Sequence, residues 1–227
     1  MPDATQLLVA PRGRSLAAWA RRRRHERLLA RFPPLESMRV IDLGGELHTW
    51  LELPVRPREV VLLNIDWQAD AQQAEIDRLG AGSWARAVRG DACEPPPELA
   101  AERFDLAYSN SVIEHVGGHA RREAFARSVR ALADHHWVQT PNRWFPVEPH
   151  WVFPGFQFLP ARARLAISRR WPLGSFAHAR GRPPADQLAE VLAIELLSPP
   201  QMRFYFPDSE LIRERIGPFT KSLISVR

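Results

Sequence analysis

The chain has 227 residues, 45% of them apolar, which is enough to bury one substantial core with additions. No uninterrupted apolar run approaches the ~18–20 residues of a membrane span, and the first residues show no apolar core of a secretory signal. A single cysteine, Cys93, excludes an intrachain disulfide and makes a reducing, cytoplasmic setting the expectation.

The net charge of +5 sits at one end. Residues 1–31 hold eight arginines against Asp3 and Glu26, a net +6, so the other 196 residues sum to −1. Residues 1–35 therefore read as a basic helical arm, in which LAAWARRRRHERLLARF spaces Leu16, Trp19, Leu28, Leu29 and Phe32 as apolar points. Two readings stand. One is a surface helix packed by one stripe, its arginines in water; the other is peripheral contact with anionic lipid or nucleic acid. Arginine replaces lysine almost everywhere, with Lys221 alone remaining, so the Arg21–Arg24 run reflects a general composition.

From residue 36 to 227, short apolar runs alternate with helix-like segments, as in a parallel sheet covered by helices. Strands are expected at 40–43, 60–65, 84–88, 104–108 and 137–139. Helices are expected at 69–79, at 121–133 with Phe125, Val129 and Leu132 on one face, and at 186–197. Residues 210–215 and 219–226, parted by Gly217-Pro218, read as a hairpin. The fold class is α/β: a Rossmann-like open sheet of seven strands, mostly parallel with a C-terminal antiparallel hairpin, and helices on both faces. Residues 140–205 are too long for one crossover and read as a substrate-facing insertion or lid, rich in aromatics from Trp144 to Phe158.

Ligands of open α/β sheets bind outside the carboxyl ends of the strands. Here those ends carry polar residues in order: Asp42-Leu43-Gly44-Gly45, Asn64-Ile65-Asp66, Gly90-Asp91-Ala92 and Ser109-Asn110-Ser111. Gly44 and Gly45 let the backbone turn sharply against a ligand. Asp66, 22 residues after Gly44, can accept from both hydroxyls of a ribose. Asp91 can accept from the exocyclic amine of adenine with the Ala92 backbone beside the ring, Trp67 can stack on it, and Asn110 would face an amino-acid end. Helix capping is the competing role for Asp66 and Asp91, and ordering of the glycine turn is the competing role for Asp42.

With these residues in view, the sequence resembles the class I S-adenosylmethionine-dependent methyltransferases, and within them the small-molecule, ubiquinone-biosynthesis-like group. VIDLGG is similar to the family's first motif, NIDW to its second with Asp66 as the ribose acid, and GDACEPPPE with FDLAYSNSVIEHV to its third and fourth. The resemblance spans about residues 36–227 and implies S-adenosyl-L-methionine as cofactor. Glu46 departs from it, standing where the first motif has another glycine. An alternative is thus a non-catalytic binding protein of the same fold with altered cofactor use.

Other classes fit less well. An NAD site needs G-x-G-x-x-G, and only Gly44-Gly45 is present. Base-modifying amino methyltransferases carry (Asp/Asn)-Pro-Pro-aromatic where Ser109 to Val112 stand, and the near-neutral main domain argues against nucleic acid in its cleft. The histidines and Cys93 show no metal-ligand spacing, so no metal is expected. Methyl transfer needs alignment, and a base only when the acceptor is neutral. His150 and Glu148 in PVEPH, and His115 at the helix start after strand four, are the candidates. Packing or capping is the alternative for each. The aromatic loop favours a small-molecule or lipid-like acceptor.

Overall fold

In the computed structural model, which describes residues 16–170 and 183–227, the apolar runs become strands of one sheet. They are β1 (Arg39–Leu43), β2 (Glu59–Asn64), β3 (Ala85–Arg89), β4 (Phe104–Asn110), β5 (Ala133–Pro141), β8 (Glu210–Ile216) and β9 (Phe219–Val226). The order across the sheet is β3-β2-β1-β4-β5-β9-β8. Strands β1 to β5 pair in parallel, and β9 runs antiparallel between β5 and β8. The expected seven-stranded α/β sheet with its terminal hairpin is what forms.

The chain divides into two compact units, Pro34–Trp144 with Leu196–Arg227 and Met1–Pro33 with Phe145–Glu195. The first unit holds the sheet. Along β1, Ile41 and Leu43 enter a core shared with Phe125, Val129 and Leu132 of α5 (His119–Leu132), each at most 2% exposed. The alternate residues Val40 and Asp42 lie on the opposite face by the two-residue period of a strand. That face holds α2 (Leu47–Leu51) and α3 (Asp66–Arg78), and Ala69 and Ile76 of α3 are buried.

At the amino ends of the strands, Arg39 Nε bonds Glu59 Oε2 at 2.6 Å and its Nη2 bonds Glu102 Oε2 at 2.5 Å. Arg86 Nη2 bonds Glu102 Oε1 at 2.7 Å. The bond from Arg86 Nε to Glu59 Oε1 at 3.3 Å closes the set, which ties β1, β2 and β3 to the turn before β4. The set pushes the Glu59 carboxyl below its ordinary range, chiefly through the bond from Arg39.

Element ends differ from the sequence reading for local reasons. Helix α3 begins at Asp66, not Ala69, because Ile65 serves as its cap. Strand β5 starts at Ala133, since α5 passes into it without a loop, and it continues to Pro141, which pairs with Ser222 at the strand end where a proline is tolerated. The helix expected to reach Leu197 stops at Ala193 (Pro184–Ala193), because Ile194 is extended and Leu196 and Leu197 are buried in the sheet unit. A helix at Pro199–Tyr205 was not expected. Its signals were Pro199 at the first position and the reciprocal Ser198–Gln201 capping box.

The second unit contains α1 (Leu16–Arg31), the two-stranded hairpin β6 (Val147–Glu148) and β7 (Phe153–Pro154), and helices at Ala161–Ser168 and Pro184–Ala193. In α1, Leu28 and Phe32 beyond it are buried while Arg21 to Arg23 and Arg31 are exposed, an amphipathic arrangement. Arg12 and Arg14 of the arm, and the side chains of Leu16 and Trp19, lie outside the described residues. Trp151 and Phe156, rings 5.3 Å apart, form a core with Val191. Trp144 and Phe158 stay 60% and 49% exposed, so the aromatic run is shared between packing and surface. No helix among the described residues is long and apolar enough to cross a membrane.

His136 of β5 is 1% exposed, with Nε2 2.7 Å from Ser209 Oγ and its ring against Phe206. Burial, aided by Arg227 and Arg130, lowers its pKa from 6.5 to about 4. Between these values the unfolded chain binds more protons, so stability falls as pH drops through this window. His136→Gln is expected to flatten that dependence by on the order of 2–3 kcal/mol in urea unfolding between pH 6.5 and 4. Identical pH slopes for the two proteins would contradict it.

Candidate functional site

The glycine turn after β1 is shaped from within. Asp42 is 1% exposed, and its Oδ2 accepts from the Trp50 indole Nε1–H at 2.8 Å. A Cβ on Gly45 would fall 1.9 Å from Asp42 Cγ, so only glycine lets the chain pass over this carboxyl group. Gly44 takes φ +78, and a Cβ there would meet Val112 Cγ2 at 2.6 Å. Asn64 Nδ2 donates to the Gly45 carbonyl at 2.8 Å, and the Gly44 N–H donates to the Leu63 carbonyl at 2.8 Å.

Desolvation raises the Asp42 pKa to about 8, against the Trp50 bond and with Glu46 adding to the rise. Asp42 thus supports the turn, which is the competing role the sequence left open. Glu46 is exposed and extended at φ −121, ψ 137, a conformation open to any residue. The missing third glycine therefore imposes no strain on this turn.

The carboxyl ends of β1 to β4 open on a cleft of about 460 Å³. Gly44 lines it after β1, Asn64, Ile65 and Gln68 after β2, Gly90, Asp91 and Ala92 after β3, and Ser111, Val112, His115 and Val116 after β4. Of the residues expected from sequence, Gly44, Asp91, Ala92 and His115 reach its wall. Asp42 and Gly45 are not part of that wall: Asp42 lies beneath the turn, and Gly45 is the turn residue directly above it. Asp66 and Trp67 are exposed, Trp67 at 70%, between the lining residues Ile65 and Gln68, while Asn110 is half-buried beside Ser111.

Two non-glycine residues at these strand ends adopt left-handed backbone, Asp66 at φ 32 and Ser111 at φ 59. Asp tolerates this better than most residues, and such strain concentrates at ligand sites. Ser111 is held there by its N–H to the Gln139 carbonyl at 3.0 Å and its Oγ to Gln139 Oε1 at 3.0 Å.

Sequence reasoning missed Arg121, which lines the cleft and bonds Asp91 Oδ2 through Nη2 at 2.6 Å. The other carboxylate oxygen accepts from the Cys93 N–H at 2.8 Å. Desolvation raises the Asp91 pKa, but the Cys93 N–H and the Arg121 guanidinium outweigh it and leave the carboxyl below its ordinary value. Cys93 itself is buried, its thiol pushed up to about 11 by desolvation.

In the second unit, Glu148 is 2% exposed and bonds His150 Nδ1 at 2.8 Å through Oε1, while Oε2 accepts the Trp151 N–H at 2.7 Å. A carboxylate only accepts, so Nδ1 carries the proton and Nε2 becomes the basic ring nitrogen. Val152 next in the loop sits at φ 50, an outlier for a β-branched residue. These two candidates from the PVEPH loop are hydrogen-bonded to each other.

By sequence, no family model and no curated protein matches the chain. By structure, a possible exported protein from Bordetella parapertussis aligns over 99% of this chain and 78% of its own, with TM-score 0.60 at 15% identity. An O-methyltransferase family protein from Burkholderia thailandensis aligns over 93% of this chain with TM-score 0.54 at 13% identity, and this chain spans only 57% of that one. The small RNA methyltransferase HEN1 aligns over 90% of this chain and 24% of its own, with TM-score 0.56 at 16% identity. At such identities the likeness establishes the fold, which is shared by methyltransferases of different acceptors.

Gly45→Ala is expected to destabilise the protein by about 2 kcal/mol or more, through overpacking against Asp42. Gly82→Ala, where a Cβ meets nothing within 4 Å, is the control and should match the unaltered protein in urea unfolding. Equal stability of both variants would contradict this account of the turn.

Proposed function

We propose that this protein is an S-adenosyl-L-methionine-dependent methyltransferase acting on a small-molecule or lipid-like acceptor. The observation that carries the proposal is the cleft at the carboxyl ends of β1 to β4. Its volume suits a nucleoside-sized ligand, and it joins apolar walls at Ile65, Ala92, Val112 and Val116 with polar groups at Asn64, Asp91 and Ser111. Asp91 offers a carboxylate for an amine, and we assign Asp66, exposed beside the lining residue Ile65, to the ribose hydroxyls.

When bound, the cofactor supplies an electrophilic methyl group on a sulfonium. The chain's own contribution is alignment, with Gly44 allowing close backbone approach and the lining residues excluding water. For a hydroxyl acceptor, we assign the proton to Nε2 of His150, with Glu148 holding the tautomer through Nδ1–H. His115, a cleft residue, is the alternative base. The exposed arginines of α1 suit an anionic lipid surface, in line with a lipid-like acceptor.

Asp66→Ala should weaken S-adenosylhomocysteine binding by about 10- to 150-fold, the value of charge-assisted hydrogen bonds to a ribose. Unchanged affinity by calorimetry would remove Asp66 from the site. With an acceptor found by screening hydroxylated small molecules and lipids, His150→Ala should lower turnover by about 10²- to 10⁴-fold while leaving cofactor affinity intact. Equal loss of both would make His150 structural. Cofactor binding without turnover on any acceptor would favour the non-catalytic reading.

A further inference from the structure

One rim of the cleft is set by an ion pair between two elements. Arg121 reaches from the first turn of α5 to Asp91 after β3, with Nη2 at 2.6 Å from Oδ2, while its Nε donates to the Val116 carbonyl at 3.2 Å. The Cys93 N–H occupies the other oxygen, and the Cys93 Sγ–H donates back to the Arg121 carbonyl at 3.2 Å. Each carboxylate oxygen thus holds one donor and, having room for about two, keeps a lone pair in a fixed direction.

Local preference does not account for Arg121. The first turn of α5 has no acidic residue, and the positive end of a helix dipole disfavours a cation there. The preceding turn, in which Gly117 takes φ +108, nevertheless holds this side chain through the bond from Nε to the Val116 carbonyl. The charge is placed where Asp91 compensates it, at the wall of the cleft.

We propose that Arg121 is a positioning residue that holds Asp91 so that the cleft selects a nucleoside whose base carries an exocyclic amine. This rests on the cofactor reading above. A carboxylate locked on two sides offers its remaining lone pairs to an N–H donor at a set angle, and offers nothing to a base bearing only C–H there. Released from Arg121, the carboxylate rotates and is satisfied by water, so the amine adds little.

The test is calorimetric affinity for S-adenosylhomocysteine and for its analogue with hydrogen in place of the adenine 6-amino group. The unaltered protein should prefer the amine by about ten- to a hundredfold. Arg121→Met should bring that ratio down by about tenfold, and Arg121→Lys should recover part of it, as a point charge without the guanidinium fork. An unchanged ratio in Arg121→Met, or equal loss of affinity for both ligands, overturns the inference alone. No binding of either ligand by the unaltered protein overturns the cofactor reading and this inference with it.

Discussion

The bond between Asp42 and Trp50, buried under the glycine turn, is the constraint on which the cleft depends. It places a desolvated carboxyl group directly below Gly45, where no other residue fits. The turn must then pass over it and bring Gly44 to the cleft wall, with Asn64 holding the Gly45 carbonyl from the neighbouring strand. Trp50 in turn packs edge-on to Tyr108 of β4 at 5.1 Å, so the same contact couples β1, α2 and β4. The raised Asp42 pKa is the cost of this arrangement.

The other strand ends achieve the same result by different means. After β2 and β4 the chain takes left-handed conformations at Asp66 and Ser111, which turn it outward within one residue. After β3, Gly90 is forced by the Pro96 ring, 2.6 Å from where its Cβ would stand, and Asp91 is then pinned by Cys93 and Arg121. Four abrupt exits from parallel strands leave a concave space at their carboxyl ends. The sheet order makes them neighbours, and the polar residues at each exit give the space its chemistry.

The sheet was legible because buried parallel strands are continuous apolar runs, as in VVLLN of β2, and because Phe125, Val129 and Leu132 mark one face of α5. That the strand ends line a cleft agrees with the glycines and acids recurring there in the sequence. Side-chain direction was not legible. Asp42 reads like a ligand residue but lies at an inward-facing strand position, and one residue of register decides that. Arg121 was read only as a helix residue, since its partner Asp91 is 30 residues away and meets it only through the fold. Glu46 looked like an obstacle because a glycine is expected there, whereas its extended backbone needs none. Glu148 and His150 were singled out by their loop, but their hydrogen bond across Pro149 shows only in the structure.

Determination of a crystal structure with S-adenosylhomocysteine bound tests the central claim most directly. The adenosine is expected between Ile65, Ala92 and Val112, with its 6-amino group on Asp91 and the Gly44 backbone beside the amino-acid tail. Ligand bound elsewhere, or none at saturating concentration while the turn over Asp42 stays intact, would contradict it.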